Sequence, residues 1–258
     1  MKYFLTAGWA IVSVIVLLIG RSYWQERITV NAVGTDAPLV AEAAGSQQAA
    51  TANPSSVAQL AKNWPTPAQK QLAQSIKAKK PFTVAFVGST ADQASSKAVA
   101  EKLQQAFGEK IIKTTVQASD LTSTEFVAQK KSLEIAALQA QLVIFEPFLL
   151  NDNGNVETKT ALDNLTQIID DVKTANPATT FVLQPSYPLY AAKYYPLQVD
   201  ALKQYAADNS ITYLDHWKAW PDYQKAELKN YLLADQSAPN DKGNGVWAKF
   251  LEDYLISK

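Results

Sequence analysis

Phe82-Thr83-Val84-Ala85-Phe86-Val87-Gly88-Ser89-Thr90 is the stretch on which the fold reading turns. A short β-prone run from Phe82 to Val87 stops at Gly88, and apolar residues then recur at helical spacing through Val99, Leu103 and Phe107. This is a βα unit. The same alternation continues downstream: strands are predicted at Ile111 to Val116, Leu142 to Phe145, Thr180 to Leu183 and Ile211 to Leu214. Helices are predicted between them at Glu125 to Gln139, Thr158 to Ala175 and Val199 to Asp208, and a last one runs from Val246 to Ile256. Strands alternating with helices at this spacing predict an α/β fold of three layers, a doubly wound parallel sheet covered on both faces.

The rest of the composition narrows the chemistry. Twenty-four basic residues against 24 acidic ones leave no net field for nucleic acid, so no nucleic-acid partner is expected. With no cysteine and a single histidine, His216, the sequence excludes disulfides, thiolate catalysis and every Cys/His zinc arrangement. Neither a metal nor a cofactor is expected. No P-loop spacing and no G-x-S-x-G elbow occurs.

Ahead of the βα pattern the chain carries two other segments. Tyr3 to Ile19 is free of charge, and at about 1.5 Å per residue it is roughly 26 Å long, enough to cross a hydrocarbon core. Lys2, Arg21 and Arg27 flank it, with Tyr3, Tyr23 and Trp24 at interfacial positions, and no A-x-A cleavage site follows closely. Residues 1–27 therefore read as a retained single-pass membrane anchor. Residues 28–67 are rich in Ala, Ser, Gln, Thr and Pro and read as a flexible tether, leaving 68–258 as the folded domain. The lysine and arginine count does not fix the orientation, whereas the absence of cysteine and the tether composition point to an extracytoplasmic domain.

In parallel sheets of this kind ligands bind beyond the carboxyl ends of the strands. Gly88-Ser89-Thr90, Glu146 to Asn153, Gln184-Pro185-Ser186-Tyr187 and Asp215-His216-Trp217 occupy such positions, and the loop from Asp235 to Gly243 precedes the last helix. Tyr187, Tyr190, Tyr194 and Tyr195 read either as an aromatic platform for sugars or as loop packing.

Three of these segments, in this order, resemble the motifs of the SGNH/GDSL hydrolases. Gly88-Ser89-Thr90 stands at the G-D-S turn, Asn151-Asp152 at the end of the G-x-N-D turn, and Asp235 with Pro239, Asn240 and Gly243 at the D-x-x-H-P-N loop and its K-G tail. The resemblance covers Phe82 to the C-terminus. It implies Thr90 as nucleophile, Ser89 and Asn151 in the oxyanion hole, and Asp235 as the acid of the triad. Ala238 stands where the family has its histidine. His216 is then the one imidazole that can serve as base, unless its place among Tyr213, Leu214 and Trp217 makes it structural. Glu146 is a second candidate base, or else a capping or ion-pairing carboxylate, and Asp152 is a candidate base or pocket residue.

Two functions follow from the resemblance and its departures. One is an ester hydrolase or deacylase acting on an acylated glycan or lipid of the cell envelope. The other is a pseudoenzyme that binds a surface glycan, lipid or protein partner, which agrees better with Ala238, because an uncharged hydroxyl without a base is a poor nucleophile.

Overall fold

A computed structural model describes residues 54–258. The anchor expected at 1–27 and the tether from 28 to 53 lie outside the described residues, and among the described residues no helix is long and apolar enough to cross a membrane.

The chain opens with helices α1 (Pro54–Leu60) and α2 (Thr66–Ala78). It continues through β1 (Phe82–Ser89), α3 (Gln93–Phe107), β2 (Ile112–Ser119), α4 (Ser123–Ala128), α5 (Ser132–Ala137) and β3 (Leu142–Phe145). After it come α6 (Leu149–Asp152), α7 (Thr158–Ala175), β4 (Thr180–Leu183), α8 (Tyr195–Asp208) and β5 (Thr212–Tyr213). Two 3₁₀ turns, His216–Ala219 and Ala226–Tyr231, lead into α9 (Asp241–Leu255). All five predicted strands form one parallel sheet in the order β2-β1-β3-β4-β5.

Alternation along the strands builds two cores, one on each sheet face. Phe82, Val84 and Phe86 of β1 join Leu142, Ile144 and Val182 on the face covered by α1, α2, α3 and α9, where Leu103, Phe107, Trp247 and Leu251 complete the packing. Ala85, Val87, Val143, Phe145, Phe181 and Leu183 point the other way, against Phe126, Ile135, Leu165, Ile168 and Leu202 of α4 to α8. The expected three-layer arrangement is what the burial of these residues requires.

Two boundaries differ from the sequence reading. The predicted helix from Glu125 to Gln139 is two helices, because Lys130 between them takes a left-handed φ of 55°. The tether does not extend to residue 67: Val57, Ala61 and Trp64 are buried in the first core. Their spacing of three to four residues is that of an amphipathic helix, which the Ala/Ser/Gln composition conceals. Trp64 fixes the segment, its ring lying 5.6 Å from Phe82 and 5.4 Å from Phe107 while its Nε1 donates to the carbonyl of Leu255 at 2.8 Å. Ser257 N donates to Leu60 O at 2.8 Å, so α1 and the C-terminus close on each other.

Trp64→Ala is expected to cost about 3–5 kcal/mol, the range for deleting a buried aromatic side chain. Urea unfolding of the variant measures it; a loss below about 1 kcal/mol would mean that residues 54–67 are dispensable to the core.

Candidate functional site

The strand order makes the chain move outward from β1 to β2 and then return to β3 on the other side of β1, so the topological switch lies between β1 and β3. Ser89 and Glu146 stand at the carboxyl ends of those two strands. Phe86, Ile144 and Val182 are register partners across the sheet, and two residues further on the same face carries Gly88, Glu146 and Gln184. The apolar core thus ends in a polar row.

Glu146 is fully buried. Its Oε2 accepts the Ser89 backbone N–H at 2.7 Å, while Oε1 has no hydrogen-bond partner among the described residues. Asp92, just before α3, is buried beside it, with Oδ2 accepting the Ser96 hydroxyl at 2.9 Å. Only glycine fits between them: a methyl group on Gly88 would lie 2.9 Å from Asp92 Oδ2 and 3.3 Å from Glu146 Oε2. Burial, reinforced by the neighbouring Glu146 charge, pushes the Asp92 carboxyl up to about 8 against the pull of Ser96. Burial also pushes Glu146 up to about 6, offset in part by Ser89 and the Phe148 amide. At neutral pH the pair therefore holds a proton. Phe148, held at a left-handed φ of 61° by packing on Phe126 and Phe145, locks the turn after Glu146.

Thr90 is exposed at the rim, and its hydroxyl donates in a short hydrogen bond to Asp120, the residue after β2. No imidazole takes part. His216 is fully buried, stacked on Trp247 with centroids 4.5 Å apart. Trp220 Nε1 donates to its Nδ1 at 3.0 Å, so the ring proton sits on Nε2 and is donated to Pro185 O at 2.9 Å. Burial holds the imidazole down at about 4, hence neutral. With both nitrogens engaged, His216 is a core residue and the expectation that it acts as base is corrected.

The expected oxyanion donors are spent as well. The Ser89 amide is given to Glu146, and the Ser89 hydroxyl is buried without a hydrogen-bond partner among the described residues. Asn151 Nδ2 donates to Leu121 O at 3.0 Å and Ser119 O at 3.4 Å, which braces the loop after β2 around Asp120. Asp152 is buried and accepts the Ser123 amide at 2.7 Å, capping α4; burial raises its carboxyl despite that bond. Asp235 is exposed and bonded to the amide and hydroxyl of Ser237, which lower it, and Ala238 uses its carbonyl to accept from Leu233 N at 2.9 Å.

Thr90, Asp120 and Asn151 thus share one rim, whereas Asp235 and His216 supply no acid–base pair. The aromatic platform is not formed by its expected members: Tyr187 and Tyr195 are buried, and Tyr194 alone is widely exposed. Asp92 and Asp120 were not among the sequence candidates. Asp120 was within reach of the strand-end rule applied to β2, while Asp92 is distinguished only by its burial.

Solved structures of similar fold are esterases and lipases. A carbohydrate esterase family 3 protein from Talaromyces cellulolyticus superposes with a TM-score of 0.57 at 13% identity, over 67% of this chain and 96% of that one. An acetylxylan esterase from Geobacillus stearothermophilus gives 0.56 at 13% identity, over 67% and 94%. A GDSL-like lipase from Bacteroides thetaiotaomicron gives 0.52 at 13% identity, over 72% and 96%. No family model and no curated protein matches the chain by sequence. The fold is SGNH/GDSL-hydrolase-like.

The raised Asp92 carboxyl sets a pH dependence. The folded state holds a proton there that the unfolded chain releases near 3.8, so the stability contributed below that value is lost as pH rises toward about 8. Above about pH 7, where the unfolded His216 has also largely lost its proton, stability from urea unfolding is expected to fall with rising pH, and Asp92→Asn to flatten that fall. A variant whose stability keeps the wild-type slope would remove Asp92 as its source.

Proposed function

We propose that this chain is a membrane-anchored, extracytoplasmic protein that uses an SGNH/GDSL-hydrolase-like fold to bind an acylated glycan or lipid of the cell envelope without cleaving it. The observation that carries the reading is the state of the nucleophile position: Thr90 donates to Asp120, both nitrogens of the lone histidine are engaged in the core, and Ala238 takes the motif position of a base. A hydroxyl needs a positioned base to become a nucleophile near neutral pH. Carboxylates in general are weaker bases than imidazole by roughly two to three pH units. The donors named for an oxyanion hole are also committed inside the protein. For the anchor, the support is the uncharged run from Tyr3 to Ile19 with its basic and aromatic flanks.

The rim beside Thr90 suits a polar ligand. Next to Asn151 a groove of about 650 Å³ is lined by Thr122, Thr124, Glu125, Asn155, Glu157 and Thr160, hydroxyl, amide and carboxylate groups that match the hydrogen bonding of a glycan. The Thr90–Asp120 hydrogen bond favours one second reading, a slow ester hydrolase with aspartate as the base.

Hydrolysis of an activated acetate ester by the full chain, Thr90→Ala and Asp120→Asn separates the two. All three proteins are expected to give the background rate. A wild-type rate about 10³-fold above background that either substitution abolishes without unfolding would establish the hydrolase instead.

A further inference from the structure

The chain is neutral as a whole, yet its charge is divided by position. From Pro54 to Ala91 there are five lysines, Lys62, Lys70, Lys77, Lys79 and Lys80, and no acidic residue. From Asp92 to Lys258 there are 16 lysines against 21 acidic residues. The α1–α2 hairpin therefore carries a net charge of +5 and the remainder of the folded unit −5.

The five lysines are exposed. Lys70 and Lys77 are seven residues apart, two helical turns, so they share the outer face of α2 opposite the buried Ala68 and Leu72. Lys79 and Lys80 extend that face at the end of the helix. None of the five forms an ion pair with an acidic side chain among the described residues; Lys62 reaches only the carbonyl of Lys258 at 2.9 Å. Of the 16 lysines that follow, five pair with an acidic side chain: Lys131, Lys159, Lys203, Lys218 and Lys249. An apolar groove of about 350 Å³ lined by Ala61, Leu72, Ala73 and Ile76 opens beside Lys70.

We propose that the α1–α2 hairpin is a docking face for an anionic lipid bilayer. Its lysines meet the phosphate headgroups, and the groove beside Lys70 receives apolar lipid surface. Lysines near an anionic lipid surface are attracted to it by about 1 kcal/mol each, and the hairpin is the first described element C-terminal to the proposed anchor, on which reading this inference rests. The −5 remainder is repelled by the same surface, so the unit has one preferred orientation. Lys77, Lys79 and Lys80 lie at the start of β1 and Ser89 at its end. At about 3.3 Å per residue the strand separates those lysines from the Thr90 rim by roughly 25 Å.

The test is lysine acetylation by a water-soluble reagent, with the full chain in vesicles of neutral phosphatidylcholine or with about one-third phosphatidylglycerol, at low salt of roughly 50 mM and high salt of roughly 500 mM. At low salt the anionic vesicles are expected to slow labelling of Lys70, Lys77, Lys79 and Lys80 at least 3-fold relative to Lys159 and Lys225, by the reckoning of one headgroup contact per lysine. High salt restores it. In Lys70→Glu/Lys77→Glu the protection of Lys79 and Lys80 is lost while the circular dichroism spectrum and urea midpoint match the wild type, which rules out unfolding. Equal labelling in both vesicle types by vesicle-bound chain overturns the proposal, as does protection by soluble polyphosphate in neutral vesicles. Failure of the chain to float with neutral vesicles defeats the anchor reading instead, and recruitment by anionic lipid alone then still upholds the docking face.

Discussion

A carboxylate sealed at the junction of two central strands must find hydrogen-bond donors or hold a proton, and Glu146 does some of each. Its Oε2 takes the amide of Ser89 across the β1–β3 step, and Asp92 is pressed close through the gap left by Gly88. Much of the local architecture follows from this arrangement. Asp92 must stay largely protonated while Glu146 is charged, because two buried like charges at this range are not tolerated. Ser96 is committed to Asp92, and the left-handed Phe148 closes the turn behind Glu146 at a cost of order 1–3 kcal/mol, offset by its ring packing.

That constraint reaches the chemistry directly. A backbone amide held by a buried carboxylate is not free to stabilise an oxyanion, since oxyanion stabilisation depends on donors poised toward charge that develops only in the transition state. The Ser89 amide is satisfied in the resting protein by a full charge. The same economy applies to Asn151, whose amide hydrogens organise the Asp120 loop, and to His216, which fills the space between Trp220 and Trp247 as a neutral aromatic ring. The side chains that the hydrolytic reading would recruit are thus joined to their own scaffold, and the binding role we propose rests on this.

Most of the fold was legible from periodicity. The five strands are 2-period or fully apolar runs, and burial on both faces of a parallel sheet forces that pattern on the sequence. What composition hid was α1, where Val57, Ala61 and Trp64 carry the signal but are diluted by small polar neighbours. The site was half legible. Strand ends locate Ser89, Thr90 and Glu146, and would have located Asp120. Asp92 could not be read, because its character comes from burial against Glu146, a contact spanning two crossovers. Nor could the engagement of His216, since an imidazole between aromatic residues and one poised as a base look alike until its partners are known.

The motif residues that match have structural roles of their own. Gly88 is required because Asp92 and Glu146 occupy the space a side chain would need, and Gly243 because a methyl group there would lie 2.2 Å from Tyr231 O. Asn240 caps α9 by accepting from Lys242 N and Gly243 N, and its own amide ties the helix start to Leu232 O. Asp152, from outside the helix, accepts the Ser123 amide at the start of α4. Each of these residues does work in the folded state that is independent of any reaction. Of the positions that depart from the pattern, Thr90 is exposed and Ala238 half-buried, whereas Ser89 and Leu149, at the motif's aspartate and glycine, are buried. Folding alone therefore suffices to keep the glycines, the asparagine cap and the buried acid in place, so these motif residues are evidence for the fold, and the state of Thr90 and its neighbours is evidence for the function.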